Sequence, residues 1–251
     1  MRGAKPNRPA PDRPRLAEQR LSVCAKMPSV QSSPLARLIC AAVAPFWALL
    51  IAPVPSAAAE PCPDVEVVFA RGTNEPPGVG RIGQDFVDSL RSRVGGKSLG
   101  VYPVNYPASI NFPTAIDGIT DAGHHVESMA AGCPRTKMVL GGYSQGAAVM
   151  GFVTANKVPD GANLAEPPQP MPPEVANHVA AVTLFGTPST QFMSIVNEPP
   201  ITIGPQYAAK TLELCVPNDP VCSGSGFPAA HRQYVEAGMV DQAADFAAGR
   251  L

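Results

Sequence analysis

Charge is scarce and balanced in this chain: 19 lysines and arginines stand against 20 acidic residues, and charged side chains make up 16% of 251 positions. The basic surplus that holds a nucleic-acid backbone is missing, so no nucleic-acid partner is expected. A disordered polyelectrolyte is excluded as well, because 45% of the residues are hydrophobic and can bury a core. The 22 glycines and 30 prolines follow no collagen-like period. The apolar stretch at residues 38–52 is about 15 long and broken by Pro45, short of the roughly 20 residues that a spanning helix needs. No internal repeat and no second core are visible.

What is present divides unevenly. Residues 1–59 carry 8 basic and 2 acidic side chains, leaving 11 and 18 for the rest. Arg37, the apolar stretch 38–52 and then Ala57, Ala58 and Ala59 follow the charged, apolar, small-residue order of a secretory signal peptide. Cleavage is expected after Ala59, with residues 60–251 forming the exported domain. Residues 1–26 are an Arg- and Pro-rich extension, so translation starts at Met1 or at Met27. A secreted, extracellular protein follows, with association at the cell envelope left open. Export leaves Cys62, Cys133, Cys215 and Cys222 in an oxidising compartment, where two disulfides are expected and three pairings are allowed. None of the four makes a CxxC or CxxH pair, so no metal site is expected.

The apolar run at 65–70 reads as a strand, a turn-rich loop follows, and Ile82, Phe86, Leu90 and Val94 recur at helical spacing. The pattern repeats with strands at 99–104 and 138–140, helices at 114–131 and 145–155, further strands at 179–185 and 211–215, and a closing helix at 233–248. Strands alternating with helices imply an α/β domain with a five-stranded parallel sheet flanked by helices. The proline-rich segment 159–173 cannot hold regular structure and reads as a surface insertion.

Residues Gly142, Tyr143, Ser144, Gln145 and Gly146 spell GxSxG between an apolar strand and a helix. That context describes an elbow that lifts the serine hydroxyl at the carboxyl edge of a sheet, with glycines where backbone must approach closely. A serine hydroxyl is a weak nucleophile at neutral pH, so it requires a base and an acid that orients the base. In the parallel-sheet arrangement these follow in the order Ser, Asp or Glu, His. Of the two histidines after Ser144, His178 stands at the amino end of a strand, the wrong edge, whereas His231 lies in a loop after the last strand. His231 is the expected base, and His124 and His125 in the preceding helix are expected to be surface or packing residues. Asp219 stands out as the acid because it lies between Cys215 and Cys222, with Pro217 and Pro220 on either side. A disulfide across that span would close a small ring and hold the carboxylate against rotation. Cys62 would then pair with Cys133, each just before a strand, at one edge of the sheet if those strands are neighbours.

The chain resembles the secreted cutinases and cutinase-like serine esterases of actinobacteria. The likeness runs from about residue 61 to the end and is carried by Val68-Phe69-Ala70-Arg71-Gly72-Thr73-Asn74-Glu75, by the elbow Gly142–Gly146, by the loop Cys215–Cys222 and by Ala230–Tyr234 around His231. The resemblance implies a minimal α/β-hydrolase without a large lid, disulfides 62–133 and 215–222, and a Ser144, Asp219, His231 triad. It also implies an oxyanion hole from the backbone N–H groups of Gln145 and Thr73, with the Thr73 hydroxyl as a further donor. The first residue of a helix suits that role, since its N–H is unpaired and sits at the positive end of the dipole.

The function expected is ester hydrolysis through an acyl-enzyme on Ser144, without cofactor or metal. The substrate would be a lipid, a polyester or a small ester of short to medium acyl chain, met by a monomer in transient contact with lipid surfaces. Residues 192–203, with Met193, Ile195, Val196 and Ile201, and residues 221–227 are the expected apolar rims. The alternatives are an acetylxylan esterase or phospholipase on the same fold, and a secreted binding protein without turnover.

Overall fold

Apolar runs without polar alternation can be buried on both faces only in the middle layer of a three-layer structure. A computed structural model describes residues 62–159 and 167–251 and shows that arrangement. The extension and signal peptide expected at residues 1–59 and the tip of the proline-rich insertion lie outside the described residues. Five parallel strands, β1 (Val65–Ala70), β2 (Leu99–Pro103), β3 (Lys137–Tyr143), β4 (Val179–Phe185) and β5 (Thr211–Leu214), form one sheet in the order β2-β1-β3-β4-β5.

Helices α1 (Gly80–Arg91) and α6 (Met239–Ala248) cover one face, where Phe86, Leu90, Val240 and Ala244 pack on Val67, Phe69 and Phe185. Helices α2 (Ala115–Gly132) and α3 (Gln145–Val153) cover the other, with Val126, Val149 and Met150 against Val68, Leu140 and Leu184. Two short helices, α4 (Thr190–Ile195) and α5 (Pro205–Ala208), separate β4 from β5. Among the described residues no helix is long and apolar enough to cross a membrane.

Two expected boundaries shift. The strand expected at 138–140 runs on to Tyr143, because its glycines remain in the ladder opposite β1 and β4. The closing helix expected from 233 begins at Met239 instead; Gly238 precedes it with φ +70°, a left-handed turn that no regular helix contains. Residues 190–195, which overlap the expected apolar rim at 192–203, are helical and capped by the Ser189 hydroxyl, which accepts from the Phe192 N–H at 3.2 Å.

Both disulfides are present. Cys62 and Cys133 precede β1 and β3, which are adjacent with Val65 opposite Lys137, and their Cα atoms are 5.6 Å apart. Cys215 and Cys222 close the short ring after β5, with Cα atoms 5.9 Å apart.

Candidate active site

The turn from β3 into α3 puts Ser144 at φ 56° and ψ −119°, a conformation that a side chain holds only under constraint. The constraint is tight packing of backbone on both sides. A Cβ on Gly146 would lie 1.9 Å from the Ala70 carbonyl oxygen, and one on Gly142 would lie 2.3 Å from the Gly146 carbonyl oxygen. The Ser144 N–H donates to the Phe185 carbonyl at 2.8 Å, tying the elbow to the end of β4.

At this edge of the sheet the three side chains expected to meet do so. Ser144 Oγ lies 2.8 Å from His231 Nε2, and His231 Nδ1 lies 2.7 Å from Asp219 Oδ2. Asp219 is fully buried inside the Cys215–Cys222 ring. Burial alone would raise its pKa, but donors from His231, Tyr234 and the Val221 N–H outweigh it and hold the carboxyl below its ordinary value. The Tyr234 hydroxyl donates to Asp219 Oδ2 at 2.5 Å, and the Val221 N–H donates to Oδ1 at 2.9 Å.

The imidazole is held by more than Asp219. The Tyr143 ring stacks on it at 5.0 Å, and the Tyr143 hydroxyl donates to the His231 carbonyl at 2.6 Å. Burial pushes the Tyr143 and Tyr234 hydroxyls well above the ordinary tyrosine range, so both remain protonated donors. Gly186, directly after β4, has φ +62°, and a Cβ there would lie 2.8 Å from the Tyr234 hydroxyl, 2.9 Å from His231 Cε1 and 3.3 Å from Asp219 Oδ2. Sequence reasoning overlooked Gly186 and met Tyr143 and Tyr234 only inside longer segments. A glycine that ends an apolar strand at the carboxyl edge was the available signal for Gly186.

Gln145 is the first residue of α3, so its N–H has no partner within the helix. Its side chain is buried and donates from Nε2 to the Ser109 carbonyl at 2.9 Å. Thr73 is half-buried in the loop after β1, three residues beyond Ala70, which pairs with Gly142. Arg71 is the internal strut of that loop. It is buried and donates to the carbonyls of Glu75, Val104 and Tyr106 at 2.9, 3.4 and 2.6 Å, while the Tyr106 hydroxyl donates back to the Arg71 carbonyl. The Glu75 carboxylate accepts from the N–H groups of Gly72 and Arg81 at 2.6 and 2.8 Å. The segment from Arg71 to Glu75 is thus wired to itself and to the loop after β2, which fixes the position of Thr73.

His178 ends a short 3₁₀ turn at the start of β4, away from Ser144. His125 stacks on Tyr102 with ring centroids 3.4 Å apart and lies 3.1 Å from Glu66 Oε2, a packing role. His124 is exposed on the same helix. The expected rims divide: Ile195 and Phe227 are 71% and 70% exposed, whereas Met193 and Val221 are buried and Ile201 packs against Gly151 of α3. Ile110, 79% exposed beside the Ser109 carbonyl that binds Gln145, was not anticipated. No group of His, Cys, Asp or Glu among the described residues could hold a metal ion.

The arrangement can draw the serine proton onto an imidazole whose far nitrogen is pinned by a buried carboxylate. The chain is similar to known proteins. The family model described as Cutinase matches residues 61–251. A probable carboxylesterase of Mycobacterium tuberculosis, Culp5, is 65% identical over 172 residues, covering 68% of this chain and 98% of that protein. Carboxylesterase Culp1 of the same organism is 49% identical over 223 residues, covering 86% of this chain and 96% of that protein. Among solved structures, a Trichoderma reesei cutinase in complex with a phosphonate inhibitor is 34% identical, with TM-score 0.57 over 75% of this chain and 77% of that one.

Proposed function

The chain belongs to the cutinase family, and we propose that Ser144, His231 and Asp219 are the groups by which it hydrolyses carboxylic esters. Ser144 Oγ attacks the ester carbonyl while His231 Nε2 takes its proton. Asp219 keeps the other nitrogen protonated and stabilises the imidazolium that forms. The N–H groups of Gln145 and Thr73 receive the oxyanion, and the imidazolium then protonates the departing alcohol. Water, deprotonated by His231, releases the acid from the acyl-serine in a second passage through the same steps. The observation that supports this reading is the unbroken line of two contacts from Ser144 through His231 to a buried, ionised Asp219.

The exposed Ile110, Ile195 and Phe227 suit brief contact with an apolar or lipid surface, and the two disulfides suit an extracellular site of action. A fluorophosphonate is expected to label Ser144 of the wild-type protein, and Ser144→Ala is expected to abolish both labelling and ester hydrolysis while keeping the far-UV spectrum. A protein that binds without turnover would leave the probe unreacted. Activity confined to acetyl esters would instead assign an acetylxylan-esterase type of substrate, and fatty-acid release from phospholipid a phospholipase type.

A further inference from the structure

Tyr143 ends β3 one position before the nucleophile, so the strand that carries Ser144 also fixes the ring beside it. Successive side chains of a strand point to opposite faces, and Tyr143 falls on the α1–α6 face, in the same cluster as Phe185 and Tyr234. From there its ring lies against the His231 imidazole, with centroids 5.0 Å apart and planes 26° from parallel. The ring has little room to slide away. A Cβ on Gly72 would stand 2.7 Å from Tyr143 Cδ1, so the loop after β1 closes one side, and Tyr234 meets the ring in a T-shaped contact at 5.8 Å. The hydroxyl donates to the His231 carbonyl at 2.6 Å, which ties the ring to the backbone that carries the imidazole.

Packing alone would be served by any side chain of that volume; an aromatic face does more. Its negative potential attracts a cation within about 6 Å of the centroid and acts far more weakly on a neutral group. To serve as a base His231 must start neutral, and it becomes an imidazolium when it holds the serine proton. We propose that Tyr143 is a positioning residue whose ring face stabilises the imidazolium of His231, and so favours the transition state over the resting enzyme. The inference rests on the reading of His231 as the base and adds a second source of stabilisation for its charge. Asp219 acts in the plane of the imidazole, at Nδ1, and Tyr143 acts from its face. The His231 side chain is 17% exposed, so little water screens either interaction. Tyr143 itself neither gives nor takes a proton, because its hydroxyl is committed to the carbonyl. The proton passes from Ser144 Oγ to His231 Nε2 and from there to the leaving alcohol.

Besides Asp219, the charges that act on Tyr143 are Glu75 of the loop after β1, Arg81 of α1 and Arg232 beside the histidine. Arg81 donates to the Arg232 carbonyl at 2.6 Å and lies 4.0 and 3.9 Å from the Asp85 and Glu236 carboxylates. None of these changes when only the electron density of the ring is altered. With Tyr143→Phe as the reference, mono-, di- and trifluorophenylalanine at the same position nearly keep the ring's shape while fluorine weakens its negative face stepwise. In hydrolysis of p-nitrophenyl butyrate, kcat is expected to fall step by step along that series with KM nearly unchanged. Tyr143→Leu, which has no ring, should fall below the reference by roughly two- to thirtyfold, the range that a cation over an aromatic face is worth. The same loss makes the imidazolium easier to deprotonate, so the acid limb of kcat/KM should move to lower pH, by roughly 0.4–1.5 pH units in Tyr143→Leu. The variants become slower, yet stay active further into acid.

Equal kcat and coincident acid limbs across the fluorinated series would overturn the proposal, whatever Tyr143→Leu does, because that variant also removes volume. A fall in kcat without movement of the acid limb would overturn it as well, by assigning the ring to packing alone. Thermal melts identify any variant that has lost its fold, and the fluorinated members, nearly equal in shape, then decide. Absence of hydrolysis in the wild type would instead refute the assignment of Ser144 and His231, which keeps the two failures distinct.

Discussion

Replacing Gly186 with alanine tests how closely the fold has been built around the imidazole. The residue has φ +62°, where a Cβ costs about 1–2 kcal/mol. The new methyl would also stand 2.8 Å from the Tyr234 hydroxyl and 2.9 Å from His231 Cε1, against the 3.4 Å at which ordinary contact begins. The rings must therefore retreat by about half an ångström, and overpacking of that kind costs about 1–3 kcal/mol. A total of about 2–5 kcal/mol corresponds to a fall in Tm of roughly 4–20 °C for a domain of this size. Displacement of His231 from Ser144 Oγ by a fraction of an ångström should lower kcat by roughly ten- to a hundredfold, with KM nearly unchanged. Thermal melts and turnover of p-nitrophenyl butyrate provide the two readouts. Combining Gly186→Ala with Tyr234→Phe removes one of the two clashes, so the double variant should be less destabilised than the two single losses together. Wild-type Tm and wild-type kcat in Gly186→Ala would show that the site does not depend on this close approach.

Tyr234→Phe alone removes a hydrogen bond to a buried carboxylate and should cost about 1.5–3 kcal/mol in urea denaturation at neutral pH; no loss would mean that the 2.5 Å contact contributes nothing. The same variant predicts a pH effect. A carboxyl held below its ordinary value contributes stability that is present above its unfolded pKa and disappears as pH falls through the folded one. Losing one donor raises the folded value toward the ordinary range, so acid unfolding should begin at higher pH in Tyr234→Phe, and coincident acid limbs would contradict this. Serine at both Cys215 and Cys222 opens a ring of 8 residues, a loss of about 2.5 kcal/mol on the chain-entropy view. Because Asp219 lies in that ring, kcat should fall as well, whereas the pair Cys62→Ser with Cys133→Ser, at the far edge of the sheet, should lower Tm without changing kcat. Arg71→Met leaves the carbonyls of Glu75, Val104 and Tyr106 without their donor and should reduce kcat more than it raises KM, since Thr73 is placed by that loop.

Much of this protein could be read from the order of its residues because the signals are local. Largely apolar runs such as 65–70 and 179–185, broken only by Glu66 and Thr183, specify strands buried on both faces, and GxSxG between strand and helix specifies the elbow. The spacing of Asp219 between two cysteines and two prolines already marks a rigid ring. Boundaries were less legible where one residue's backbone decides them. Nothing in the apolar spacing of 233–248 reveals that Gly238 takes a left-handed turn, which delays α6 and leaves Tyr234 free to turn its hydroxyl onto Asp219. The apolar stretch 192–203 likewise gave no sign that Met193 is buried while Ile195 is exposed, because one-dimensional hydrophobicity does not say which side of a short helix faces inward.

By itself, then, the sequence determined the parallel layered architecture, which serine, histidine and aspartate come together at one edge of the sheet, and the cysteines that pair. Those features follow from periodicity, from chain order and from chemistry confined to a few neighbouring positions. Only the tertiary structure decided that Gly186 must lack a side chain, that Tyr143 and Tyr234 hold the imidazole and the carboxylate, and that Arg71 and Glu75 secure the loop bearing Thr73. Each of these depends on residues far apart in the chain being brought to within a few ångströms, and distance through space is not written in the spacing along a sequence.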